Sequence, residues 1–143
     1  MLMEKDISIC METKFNFKSQ ICTTVEQSER LLALGVKPET ADMYWVNHLD
    51  LWMPVMLLYE DRPLDNNDIP AWSLHRLIEM MPKNIAIDGD TAYPLQIQKR
   101  SDGKWCVGYQ GWYDCVGDLY DSVIWIYQLL ISEGYLDEFC NKG

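Results

Sequence analysis

Basic residues are scarce: 12 Lys and Arg stand against 22 Asp and Glu, for a net charge of -10. That balance speaks against grip on a nucleic-acid backbone, which needs clustered cations to displace counterions. It speaks equally against anionic membrane surfaces. Long hydrophobic runs are missing too. The longest, Leu51 to Tyr59 and Val123 to Leu130 with Gln128 inside, are too short to span a bilayer. Glu4 and Asp6 lie where a secretory leader would be basic, and no apolar stretch follows. A cytoplasmic protein is therefore expected.

Recognisable catalytic and metal-binding patterns are also missing. The two histidines, His48 and His75, lack the spacing of a zinc helix. Five cysteines (Cys10, Cys22, Cys106, Cys115, Cys140) make an odd count without a Cys-x-x-Cys pair. The expectation is small thiols in a reducing compartment rather than a zinc site or disulfide framework. A spatial Cys–His pair, for example Cys106 with His75, is left open, as is chemistry on Cys115 or an aspartate pair. Asp88-Gly89-Asp90 has a metal-like look, but it is ordinary turn chemistry as well. No nucleophile elbow, phosphate loop or dinucleotide fingerprint occurs. Neither catalytic nor metal-binding residues are assigned, and no cofactor is expected.

What is present is enough to fold. The chain has 143 residues, 48% of them apolar and 24% charged, the balance of one globular domain. Charge is uneven. Residues 38–68 carry 7 acidic and 1 basic side chains, and residues 105–143 carry 6 and 1. Thr23 and Thr24, each followed three residues later by Glu26 or Gln27, start a helix that Gly35 ends. Pro38 should open a short helical turn carrying Thr40, Ala41, Met43 and Tyr44. Trp45 to Tyr59 reads as one strand, with Pro54 confining it to a tolerant position. Residues 60–70 read as a polar loop. Ser73 caps a second helix through Leu74, Leu77, Ile78 and Met81, stopped by Pro82. Ile85 and Ile87 suggest a short strand.

Around Ser101, Asp102 and Gly103 the register can be argued. A three-residue loop with Gly103 left-handed pairs Lys99 with Trp105, Ile97 with Val107 and Leu95 with Tyr109, which gathers the large apolar groups on one face. Asp118 then caps a closing helix with Leu119, Val123, Ile126, Tyr127 and Leu130, ended by Gly134. Its apolar surface is broad, so the other helices are expected to cover Trp125. Residues 1–18 and the polar tail 137–143 are expected to be mobile. The whole is read as an α+β protein, a single domain with a small, mainly antiparallel sheet packed against about three helices.

Three stretches read together suggest kinship. They are Thr23-Thr24-Val25-Glu26-Gln27-Ser28 through Leu31-Leu32-Ala33-Leu34-Gly35, then Thr40-Ala41-Asp42-Met43-Tyr44, and Ile69-Pro70-Ala71-Trp72-Ser73-Leu74 with Met81-Pro82. In this order the chain resembles a family of small uncharacterised proteins from Bacteroides-type gut bacteria, their phages and mobile elements. The resemblance implies a bacterial or phage setting and an accessory role. It carries no activity, so it transfers no functional residue.

The aromatics are the most unusual content: 6 Trp, 8 Tyr and 3 Phe. Trp112, Tyr113 and Tyr120 lie beside Asp114, Asp118 and Asp121, the aromatic-and-charge mixture that protein interfaces use. These six residues are the candidate partner surface. The leading expectation is a non-enzymatic accessory protein acting by protein–protein binding. A DNA-mimic inhibitor using the two acidic blocks is the alternative, and a small hydrolase-like enzyme a third. The partner would be another protein; homo-oligomerisation is left open.

Overall fold

The computed structural model describes residues 19–48, 50–56, 67–86 and 89–141, without the side chains of His48 and Met56. Helix α1 (Val25–Ala33) starts where the capping pattern places it. Thr24 Oγ1 accepts from Gln27 N–H at 3.1 Å, and Gln27 Oε1 accepts from Thr24 N–H at 3.0 Å. Such a cap contributes about 1 kcal/mol. Gly35, at φ +101°, ends the helix, and Val36 N–H turns back to the Leu31 carbonyl.

The helical turn from Pro38 is shorter than expected, a single 3-10 turn over Pro38–Thr40. Met43 and Tyr44 already belong to strand β1 (Met43–His48). The expected single strand from Trp45 is instead a hairpin, β1 with β2 (Leu51–Met56), in which His48 faces Leu51. The turn between them carries no glycine. Asp50 takes the left-handed conformation at φ +65°, which Asp tolerates better than most residues. Among the described residues β2 is an edge strand, where Pro54 is tolerated. Strand β3 (Ile69–Ala71) pairs with the other side of β1, so Ile69 and Pro70 are sheet rather than loop.

Helix α2 (Leu74–Met80) is capped by Ser73 and ends before Pro82, as its sequence directs. Met81 N–H turns to Ile78, leaving the Leu77 carbonyl without a helical partner. The Tyr127 hydroxyl donates to it, and the Tyr109 hydroxyl donates to the Pro82 carbonyl just beyond. Two core tyrosines thus finish a helix of only 7 residues.

Strands β4 (Asn84–Ile85) and β5 (Tyr93–Pro94) form a minimal pair. Then come β6 (Gln96–Lys99), β7 (Trp105–Tyr109) and β8 (Trp112–Gly117), ordered β6-β7-β8. Lys99 faces Trp105 and Ile97 faces Val107, as argued from the three-residue loop, with Gly103 at φ +88°. The pairing stops short of Leu95, whose N–H donates to the Lys83 carbonyl instead. β8 has no counterpart in the sequence reading. It returns through Gln110 and Gly111, and a shift at Trp105/Cys106 leaves Val116 as the extra residue of a bulge. The buried Ser122 hydroxyl accepts from Val116 N–H at 3.3 Å and donates to the Trp105 carbonyl at 3.0 Å.

β8 also overturns the cysteine expectation. Cys106 and Cys115 are register partners, 4.0 Å apart at Cα, and are joined by a disulfide. Cys22 and Cys140 are free and buried. An argument for a reducing compartment built on free thiols loses its footing at this pair. Cys106 is likewise withdrawn from any pairing with His75.

Helix α3 (Leu119–Ser132) closes the core. It lies on β7 and β8 and touches α1 and α2. Its buried Val123, Ile124, Ile126, Tyr127 and Leu130 meet Val107, Tyr109, Leu31, Leu77 and Trp72 in one cluster. Trp125 is half-buried: it packs against the margin of that cluster, and part of it faces outward. The described part of the tail expected to fray from Asp137 is bonded just past the end of α1: Lys37 N–H donates to Phe139 and Asn141 N–H to Gly35, and Val36 bridges Cys140. The fold is α+β, and among the described residues its strands make three small antiparallel sheets rather than one. The segment 1–18 expected to be mobile, residues 57–66, Ile87, Asp88 and residues 142–143 lie outside the described residues.

Candidate functional site

The three stretches that carry the family resemblance meet in space. Thr23 N–H donates to the Trp72 carbonyl at 2.8 Å, and Trp72 N–H returns to Thr23 Oγ1 at 3.1 Å. The Trp72 indole N–H reaches Thr40 Oγ1 at 3.0 Å. Asp42 accepts from both the backbone N–H and the hydroxyl of Ser73. Arg76 Nε donates to the Thr40 carbonyl at 2.8 Å. These backbone and side-chain bonds all run between the stretches rather than toward an open site. The motifs are thus a folding signature, fastening α1, the Pro38 turn, β3 and the start of α2 together.

An open groove of about 420 Å³ lies over this knot, lined by Glu39, Thr40, Ala41, Asp42, His75, Arg76 and Glu79. Its ionisable groups largely satisfy one another. Arg76 pairs with Glu79 at 2.6 Å, and the exposed His75 lies 3.8 Å from Glu79. Both Asp42 oxygens face Ser73. Among the described residues, no group of three or more His, Cys, Asp or Glu side chains is arranged to hold a metal. No helix among them is long and apolar enough to cross a membrane.

The six candidate partner residues do not form one exposed patch. Trp112 is half-buried, edge-on to Tyr135 with ring centroids 5.9 Å apart. The Tyr113 hydroxyl donates to Gln98 across the sheet at 3.0 Å. Asp114 accepts from Cys115 N–H, and Asp118 caps α3. Tyr120 is buried and reaches the Gln20 carbonyl. Asp121 accepts from Gln27 Nε2 at 2.7 Å and pairs with Arg30 at 3.6 Å, joining α1 to α3. Burial pushes the Tyr120 hydroxyl up to about 12 and the Cys22 thiol up to about 11. Neither group is poised to ionise near neutrality.

Exposed large apolar side chains are scattered singly at Ile21, Ile97, Val116 and Tyr135, but among the described residues three in a row occur on the β1–β2 hairpin. Leu51, Trp52 and Met53 are 63%, 38% and 46% exposed. They are consecutive on an edge strand, so Leu51 and Met53 crown one face and Trp52 the other. The sequence reading placed this segment inside a buried strand; the unrecognised turn at Asp50 is what moved it to the surface. The missed signal is an Asn-His-Leu-Asp stretch (Asn47 to Asp50) between two apolar runs, turn chemistry of the Asx kind. Comparison with known proteins returns no matching family model, no matching curated protein and no matching solved structure.

Proposed function

We propose that this protein is a non-enzymatic accessory protein that binds another protein through its β1–β2 hairpin. The supporting observation is the run of Leu51, Trp52 and Met53 on an edge strand that has no outer neighbour among the described residues. Edge strands that face water alone are usually blunted with charge; an apolar one is a docking edge or an aggregation hazard. The stretch 38–68, to which the hairpin belongs, carries 7 acidic and 1 basic side chains, a balance that favours a basic partner. An accessory role in a bacterial or phage setting, which the family resemblance implies, agrees with this reading.

Imitation of DNA phosphates draws less support. Asp42, Asp118 and Asp121 use their carboxylates on the protein's own caps and helices.

The test is affinity capture from a lysate of a Bacteroides-type host, with mass spectrometry. Wild-type protein should retain a partner that Leu51→Asp releases while keeping its thermal midpoint. A partner retained equally by both would contradict the hairpin as the docking site.

A further inference from the structure

On the Trp52 face of the hairpin, Asn47, Asp50, Trp52 and Asn67 line an open depression of about 540 Å³. The register brings two of them together. Asn47 stands opposite Trp52 across β1–β2. The β1–β3 pairing ends at Trp45 opposite Ile69, and Asn67 lies in the turn just before β3, on the same depression. An indole and two carboxamides therefore line one depression. Asp50 sits in the hairpin turn, beyond the His48–Leu51 pair. Among the described residues no cation pairs with Asp50.

We infer that this depression receives an arginine side chain of the partner protein. The inference rests on the protein-binding reading above and names its chemistry. A carboxylate and two carboxamide oxygens offer acceptors only a planar, many-donor cation meets together. The indole face adds attraction for a guanidinium stacked on it. An anion would meet Asp50, and an apolar group would leave the carboxamides unpaired. A lysine ammonium brings the charge without the plane. The acidic segment 38–68, with 7 acidic and 1 basic side chains, adds a longer-range pull on any cation.

The probe is Nα-acetyl-arginine amide, titrated into the full ¹⁵N-labelled chain and followed by NMR, with the lysine and citrulline counterparts as controls. The arginine probe should shift the Trp52 indole N–H saturably in the millimolar range. Lysine should bind more weakly, and citrulline, uncharged, should leave the signal in place. Asp50→Asn keeps a residue that tolerates φ +65° and removes only the charge; it should weaken binding about fivefold. Trp52→Ala should abolish the shifts at Asn47 and Asn67. A Trp52 signal unmoved by arginine, moved equally by citrulline, or unchanged in its titration by Asp50→Asn would overturn the inference. If arginine fails in these ways while Leu51→Asp still releases a captured partner, the arginine site falls and the protein-binding reading stands. If arginine binds as described but Leu51→Asp releases nothing, the site stands and the hairpin reading falls.

Discussion

The Gln27 side chain donates to Asp121 Oδ1 at 2.7 Å while its own oxygen accepts from Thr24 N–H at 3.0 Å. One residue thus closes the cap of α1 and fastens that helix to the first turn of α3. Gln27→Ala removes both bonds and exposes Arg30 to a less ordered Asp121. The expected loss is about 1–2 kcal/mol in urea unfolding. Gln27→Glu keeps the cap but sets a carboxylate against Asp121, and should destabilise in low salt more than in high salt.

Gly108 of β7 stands opposite Tyr113 of β8. A Cβ there would come within 2.0 Å of the Trp112 carbonyl oxygen, on a backbone at φ +152°. No side-chain movement relieves a clash with backbone. Gly108→Ala should lose more than about 3 kcal/mol. Circular dichroism melting should show an early or absent transition; an unchanged midpoint would place β8 wrongly.

The Cys106–Cys115 bond closes a short loop, with 9 residues of separation. On the chain-entropy account its removal should cost roughly 2–3 kcal/mol. Non-reducing alkylation followed by mass spectrometry should find Cys106 and Cys115 unmodified until reductant is added. The double variant Cys106→Ala/Cys115→Ala should melt earlier than oxidised wild type and match reduced wild type more closely.

How much of this was readable in advance follows from where the local signals sit. α1, α2 and α3 announced themselves through Thr24, Ser73 and Asp118, whose short side chains make their bonds within three residues. The β6–β7 register was legible because only one loop length gathers Ile97 and Val107 on a face. The β1–β2 hairpin was not, because its turn rests on Asp50 rather than on glycine, and apolar residues on both sides of a strand mimic full burial. The disulfide was hidden for a related reason: without β8, nothing sets Cys115 opposite Cys106. Adjacency in sequence likewise cannot show that Tyr120 is buried or that the Tyr113 hydroxyl bonds Gln98 across the sheet.

Alkaline pH provides a separate check on the core. Burial raises the hydroxyls of Tyr109, Tyr120 and Tyr127 above the ordinary 10.0. Each group therefore contributes stability that is complete below pH 10 and is lost as pH climbs toward its raised value. Absorbance at the phenolate band should show the accessible tyrosines ionising first. Tyr109, Tyr120 and Tyr127 should follow only as the near-ultraviolet circular dichroism collapses. All eight tyrosines titrating together near their ordinary value, with the fold intact, would contradict their placement.

The central claim is that Leu51, Trp52 and Met53 form the docking edge. Its most direct measurement is the dissociation constant of the captured partner for wild type, Leu51→Asp and Tyr113→Ala, each checked for an unchanged thermal midpoint. Leu51→Asp should weaken binding by about 30-fold or more, as loss of an interface anchor does, and Tyr113→Ala should leave it within about twofold. A constant unchanged by Leu51→Asp but raised by Tyr113→Ala would contradict the account and return the interface to β8.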